Sequence, residues 1–280
     1  MKFSKKTRET AKTVGIHVLA VLATLFIIFP IYWLIISALR SPEHILDTPP
    51  SLLPSNISTF FVDHVFREFA IGRYLFNSVF LSVTATFATL MIAALAAFSY
   101  RMYRYRAKET FSKLILFVYM FPQILIIIPI YLLMSKLGLI NTWFGLILCY
   151  IAFEMPICIW TLQSYFATIP RDLVEAAEID GMTRIRTLWK IFVPVALPGF
   201  ASSGIMTFIG IWNNFLLANT LLVSDSLKTL PVIVADFSSR DSMLQGDVLA
   251  ASLVVSLPSF FFALFFQRYL VGGLTDGAVK

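Results

Sequence analysis

Long stretches without a formal charge alternate along the chain with short polar connections that hold nearly all of its ionisable residues. Each apolar stretch reaches the length of about 20 residues that an α-helix needs to cross a hydrocarbon core. The pattern predicts spans at residues 14–39, 74–100, 114–135, 142–166, 198–223 and 248–267. The fold class read from it is an all-α membrane protein with six transmembrane helices. An even number of crossings brings both termini to one side.

Composition removes the soluble alternative. Of 280 residues, 58% are hydrophobic and 14% charged, with a mean hydropathy of +0.81. Ordinary soluble chains have about 45–50% and about 25%. The net charge of +6 could suggest a nucleic-acid partner. No nucleic acid is expected, because the basic residues cluster in the connections, where they set topology. With the N-terminus inside, sixteen Lys and Arg face the cytoplasm and six face outward, so both termini are expected to be cytoplasmic. Residues 1–13 form a basic N-terminal segment. The uncharged run from Thr13 to Leu39 exceeds the roughly 7–15 apolar residues of a signal peptide, which makes it an uncleaved first span. Cys149 and Cys158 fall on opposite sides of one helix and read as small packing residues.

Proline recurs within or beside the spans, at Pro30, Pro122, Pro129, Pro156, Pro198 and Pro258. Kinks around a pathway and simple packing kinks both fit. The connection 224–247 is polar enough to reach out of the membrane.

The most informative connection runs from Thr168 to Pro194. Thr168 suits an N-cap, Pro170 a first turn and Asp172 the positive end of a helix. Gly181 supplies the φ > 0 residue that ends this short helix. A second helix follows, with Ile185, Leu188, Trp189 and Phe192 as one apolar stripe. Such a unit fits a groove on another protein, with Glu175 and Glu178 meeting basic groups there. It also fits an amphipathic element lying on membrane lipid.

The spacing Glu175-Ala176-Ala177, three residues, Gly181, nine residues, Ile191, one residue, Val193-Pro194 resembles the EAA loop of ATP-binding-cassette (ABC) importer permeases. Val193 replaces the usual leucine. The resemblance narrows to the MalG-like permeases of maltose-type (carbohydrate) ABC importers. It also rests on Asn77-Ser78, on the stretch from Pro129-Ile130-Tyr131 to Gly138-Leu139, on Trp212-Asn213, and on the C-terminal run from Phe266 to Lys280. It implies a type I ABC importer permease fold, with a domain over 14–270 containing the EAA coupling loop 168–194, and a cytoplasmic tail over 271–280. It implies coupling to an ATPase through Glu175, Ala176, Ala177, Asp180 and Gly181. Further ATPase contacts are expected at Leu274, Thr275, Gly277 and Ala278. The implied partners are a homologous MalF-like permease, two ABC ATPase subunits and an extracytoplasmic solute-binding protein. The implied location is a prokaryotic cytoplasmic (inner) membrane.

The sequence carries no GxxxxGK[ST] phosphate loop, HExxH or GxSxG, and His17, His44 and His64 are isolated. The chain therefore reads as a permease subunit without an enzyme site, a metal or a cofactor of its own, with ATP and Mg bound by its partners. Candidates for the translocation path are Glu154, Trp212, Asn213 and Asn214. An acid within a span is costly unless it faces protein or water, so Glu154 reads as a path residue or an interhelical contact. Trp212, Asn213 and Asn214 could offer a sugar an aromatic face beside amides, or could be packing contacts. In maltose-type relatives the sugar is held mainly by the other permease. The reading is thus an importer subunit for a carbohydrate, an oligosaccharide first. Glycerol phosphate or another small polar solute is the alternative, and a stand-alone secondary carrier is more remote.

Overall fold

A computed structural model describes residues 5–53, 56–103, 106–237 and 244–275. Its helices run, in chain order, as α1 (Lys5–Ala38), α2 (Phe60–Glu68), α3 (Ile71–Met102), α4 (Lys108–Tyr119), α5 (Gln123–Lys136), α6 (Trp143–Thr168), α7 (Arg171–Ile179) and α8 (Arg184–Thr187). After a π-helical turn at Leu188–Phe192 come α9 (Val193–Val195), α10 (Leu197–Trp212), α11 (Phe215–Leu221), α12 (Leu230–Phe237) and α13 (Gln245–Thr275). Four of these, α1, α3, α6 and α13, are long and apolar enough to cross a membrane. Bent helix pairs bring the number of candidate spans to as many as six. The fold is that of an all-α membrane protein.

Two apolar stretches expected as single helices are broken. The 114–135 stretch divides into α4 and α5, which meet at 96°. Pro122 causes the break: it caps α5 in an extended conformation and biases Phe121 before it away from helix. The 198–223 stretch parts between α10 and α11. There Asn214 adopts an extended ψ of 96°, and its Oδ1 accepts a hydrogen bond from Leu217 N at 3.1 Å. Asparagine is among the strongest N-caps, so this break is built into the sequence. A separate bend of 82° links Arg184–Val195 to α10.

The chain forms two compact units. The smaller comprises Met1–Ile71 and Phe237–Val255. In it Asp247, fully buried, caps α13 by accepting from Leu244 N at 3.2 Å and pairs with His64 Nδ1 at 2.8 Å. Gly246 leaves room for the ring of Phe61.

The larger comprises Gly72–Asp236 and Ser256–Lys280, and α6 runs through both of its cores. Near the start of α6, Leu146, Cys149 and Tyr150 pack with Leu81, Ile127, Ile211 and Leu217. Near its end, Cys158, Leu162 and Phe166 pack with Ala94, Phe98, Leu188 and Phe192. Both cysteines are free and buried. The glycines Gly199 and Gly210, eleven residues apart and so on one face of α10, admit Tyr165 and Glu154 of α6 against the backbone.

Polar residues pin the 221–230 segment. Asn141, at φ +59°, donates its N–H to Leu221 O at 2.7 Å and accepts from Val223 N and Ser224 N at 3.0 and 2.8 Å. Asn77 Nδ2 donates to the carbonyls of Ser226 and Lys228, and Ser78 Oγ accepts from Leu230 N. Lys228 bridges Asp236 and Asp225, and these hydrogen bonds raise its pKa. The described part of the 224–247 connection is thus anchored to the rest of the chain at several points. Leu230, Val232 and Ile233 of α12 are fully buried, because its apolar side chains gain more from the core than from water. Asn141→Ala loses both accepted bonds and a residue that tolerates φ > 0. A loss of about 2 kcal/mol is expected, read as a lower unfolding midpoint in detergent; an unaltered midpoint counts against the hub role.

Candidate functional site

The first site is the loop after α6. Thr168 is not its N-cap, contrary to expectation. The Thr168 hydroxyl donates back to Tyr165 O at 2.8 Å, and α7 is preceded by extended Ile169 and Pro170. Because Pro170 disfavours helix in the residue before it, the cap position falls two residues later. At the other end Gly181, at φ +69°, meets the sequence expectation. Met182 N donates to Ala177 O at 2.9 Å and Gly181 N to Glu178 O at 3.1 Å, the two bonds of a Schellman motif.

Of the residues singled out on α7, Ala177 packs inward at 2% exposure. Glu175, Ala176 and Asp180 are exposed. Glu175 and Glu178 share a cavity of about 250 Å³ with Arg101, Lys108 and Arg171, so basic groups of this same chain stand near them. The outward edge is apolar: Leu173 is 41% and Ile179 86% exposed, with Ala176 between them. Sequence reasoning missed this edge, although the i, i+3, i+6 spacing carries it.

The apolar stripe expected beyond Gly181 is split. Leu188 and Phe192 are fully buried, whereas Ile185 and Trp189 are substantially exposed. A π-helical turn at Leu188–Phe192 interrupts the α-helical period across this stripe. Thr183 caps α8 by its side chain, accepting from Arg186 N at 3.4 Å. Arg184 lies 4.5 Å over the ring of Tyr103, and its hydrogen bond to Tyr103 raises its pKa further.

The second site is a cavity of about 470 Å³ at the two helix breaks. Gln123, Glu154 and Asn214 supply its polar groups, and Tyr119, Phe121 and Phe153 supply aromatic wall. Asn214 Nδ2 donates to Gln123 Oε1 at 3.3 Å, joining one break to the other. Glu154 lies against the backbone of α10, where a Cβ on Gly210 would stand 2.6 Å from its Oε1. The cavity thus gathers Glu154 and Asn214 but not the other two candidates. Trp212 is 2% exposed and stacks on Phe208, with centroids 5.8 Å apart; a ring so enclosed offers no face to a solute. Asn213 is exposed and ends α10, donating its N–H to Ile209 O. Gln123 was not anticipated, although it is a polar residue directly after Pro122 in an otherwise apolar run. Leu274 and Thr275 lie in the last turn of α13; Gly277 and Ala278 lie outside the described residues.

Residues 89–275 match the family described as the binding-protein-dependent transport system inner membrane component. The chain is 35% identical over 266 residues to the trehalose transport system permease protein SugB of Mycobacterium tuberculosis, covering 93% of this chain and 96% of that protein. It is 32% identical over 273 residues to the trehalose/maltose transport system permease protein MalG of Thermococcus litoralis, covering 97% and 98%. In three dimensions it resembles a chain of a bacterial ABC transporter involved in the import of the acidic polysaccharide alginate. The TM-score is 0.81 at 22% identity, covering 96% and 99% of the two chains. This protein belongs to the inner-membrane component family of binding-protein-dependent transport systems.

Proposed function

We propose that the chain forms half of the translocation pathway of an ATP-driven importer for carbohydrates, oligosaccharides first. The solute would pass the cavity of Gln123, Glu154 and Asn214, and α7 would couple that passage to a separate ATPase. The observation that carries the reading is the outward edge of α7, where Ile179 stands 86% exposed on a helix locked by the Gly181 cap. A partner that covers this edge explains an otherwise unfavourable arrangement. Two ABC ATPase subunits, which bind the ATP and Mg, a homologous permease and an external solute-binding protein complete the complex. Both termini and the 168–194 loop face the cytoplasm in this reading, in keeping with the excess of Lys and Arg in those segments. The carbohydrate assignment is supported by relatives named for trehalose and maltose that align over nearly the whole chain. The cavity adds to that support: hydroxyls find Gln123, Glu154 and Asn214, and an apolar sugar face finds the aromatic wall.

The test is reconstitution of the complete complex in liposomes, with binding-protein-stimulated ATPase activity measured across disaccharides, longer oligosaccharides and glycerol phosphate. Stimulation by one of the sugars is expected. Stimulation by glycerol phosphate alone overturns the carbohydrate reading. In the same system Glu175→Lys is expected to leave the chain in the membrane and to cut uptake by about fivefold or more. Normal uptake by this variant removes the coupling role from α7.

A further inference from the structure

A nine-residue helix such as α7 is too short to hold its own direction, so its orientation depends on what grips its ends. One short stretch at the end of α3 holds the entry of α7 and the start of α8, just beyond the Gly181 turn. At the entry, Ile169 and Pro170 leave the helical conformation, and the Ile169 carbonyl accepts a hydrogen bond from Arg101 Nη2 at 2.9 Å. Arg101 Nε beside it is closed off from solvent, so water is poorly placed to replace this charge-assisted bond. Beyond the exit, at the first residue of α8, Tyr103 carries the Arg184 guanidinium over its ring at 4.5 Å. Between these points the cavity lined by Arg101, Lys108, Arg171, Val174 and Glu175 separates α7 from the ends of α3 and α4.

The covalent chain carries a displacement of α7 into α6 on one side and α10 on the other. Nothing covalent carries it directly to α3, whose Ala93, Ala94, Ala97 and Phe98 share the core with Leu162, Phe166 and Phe192. We propose that Arg101 and Tyr103 are positioning residues forming a two-point linkage that passes the movement of the coupling helix to α3, the second span. The inference rests on α7 being the ATPase-coupling helix. Without the linkage, α6 and α10 follow the ATPase while α3 lags, and hydrolysis is partly wasted.

The test uses the reconstituted complex and reads solute imported per ATP hydrolysed, with ATPase co-purification as a separate measure. Arg101→Gln and Tyr103→Leu are expected to lower the ratio by about fivefold or more with the ATPase still bound. Arg101→Lys and Tyr103→Phe, which keep the charge and the ring, retain most of it. In a double-mutant cycle, Tyr103→Leu and Arg184→Gln together cost no more than either alone. An unchanged ratio, loss of the ATPase from the complex, or additive losses in the cycle overturns the linkage. Glu175→Lys run alongside separates the two levels. If it imports normally, the coupling role of α7 fails; if it uncouples while Arg101→Gln does not, the linkage alone fails.

Discussion

A Gly181→Pro variant is expected to reach the membrane and to lose ATP-driven uptake by about tenfold or more, a penalty within the usual range of coupling energies. Proline fixes φ near −65°, whereas residue 181 sits at +69°. It also removes the N–H that Gly181 donates to Glu178 O. Both changes undo the cap that ends α7 and aims the chain toward Thr183. The spans make no use of this turn, so the fold survives while α7 loses its direction. Gly181→Ala provides the graded control. No atom lies within 4 Å of the added Cβ, so only the left-handed backbone is penalised, by roughly 1–2 kcal/mol. Uptake measured with membrane abundance decides the matter: proline must be far worse than alanine at equal abundance. Equal uptake by the two variants removes the cap from the coupling mechanism.

Glu154→Gln is expected to lower uptake by about tenfold, the equivalent of the ~1.5 kcal/mol that a hydrogen bond to a charged group contributes. Its shape is conserved, so membrane abundance and assembly with the ATPase stay near wild type. Gly210→Ala approaches the same carboxylate from the other side. Its Cβ would stand 2.6 Å from Oε1 and 3.0 Å from Oε2, displacing the flexible end of Glu154 while leaving α10 intact. The two variants should therefore share a defect, and the double variant should be little worse than either. If abundance collapses in Glu154→Gln, the residue is an interhelical contact instead of a path residue.

What the sequence disclosed divides along physical lines. The helical class and the ending of α7 were legible, because the causes are local: lipid forbids an unpaired backbone, and only a residue tolerant of φ > 0 closes a Schellman turn. The helix breaks were hidden inside continuous hydropathy. Phe121-Pro122 and Asn213-Asn214 mark them, but membrane helices also accommodate prolines without breaking, as Pro30, Pro129, Pro156 and Pro258 do here. Trp212 stood open between a path residue and a packing contact; Phe208 one helical turn earlier hints at packing, but the depth of its burial belongs to the tertiary fold. The Ile185 stripe failed for a related reason, since an α-helical period was applied across a π-helical turn. Gln123 was missed because its partner, Asn214, lies 91 residues away.

The exposed edge of α7 carries a thermal consequence. Covering Leu173, Ala176 and Ile179 removes apolar surface from water and so lowers the heat capacity on association. That part of the attraction fades on cooling. The grip of any partner that covers this edge is thus expected to loosen in the cold even where the apolar helices are undisturbed, leaving a cold-labile joint.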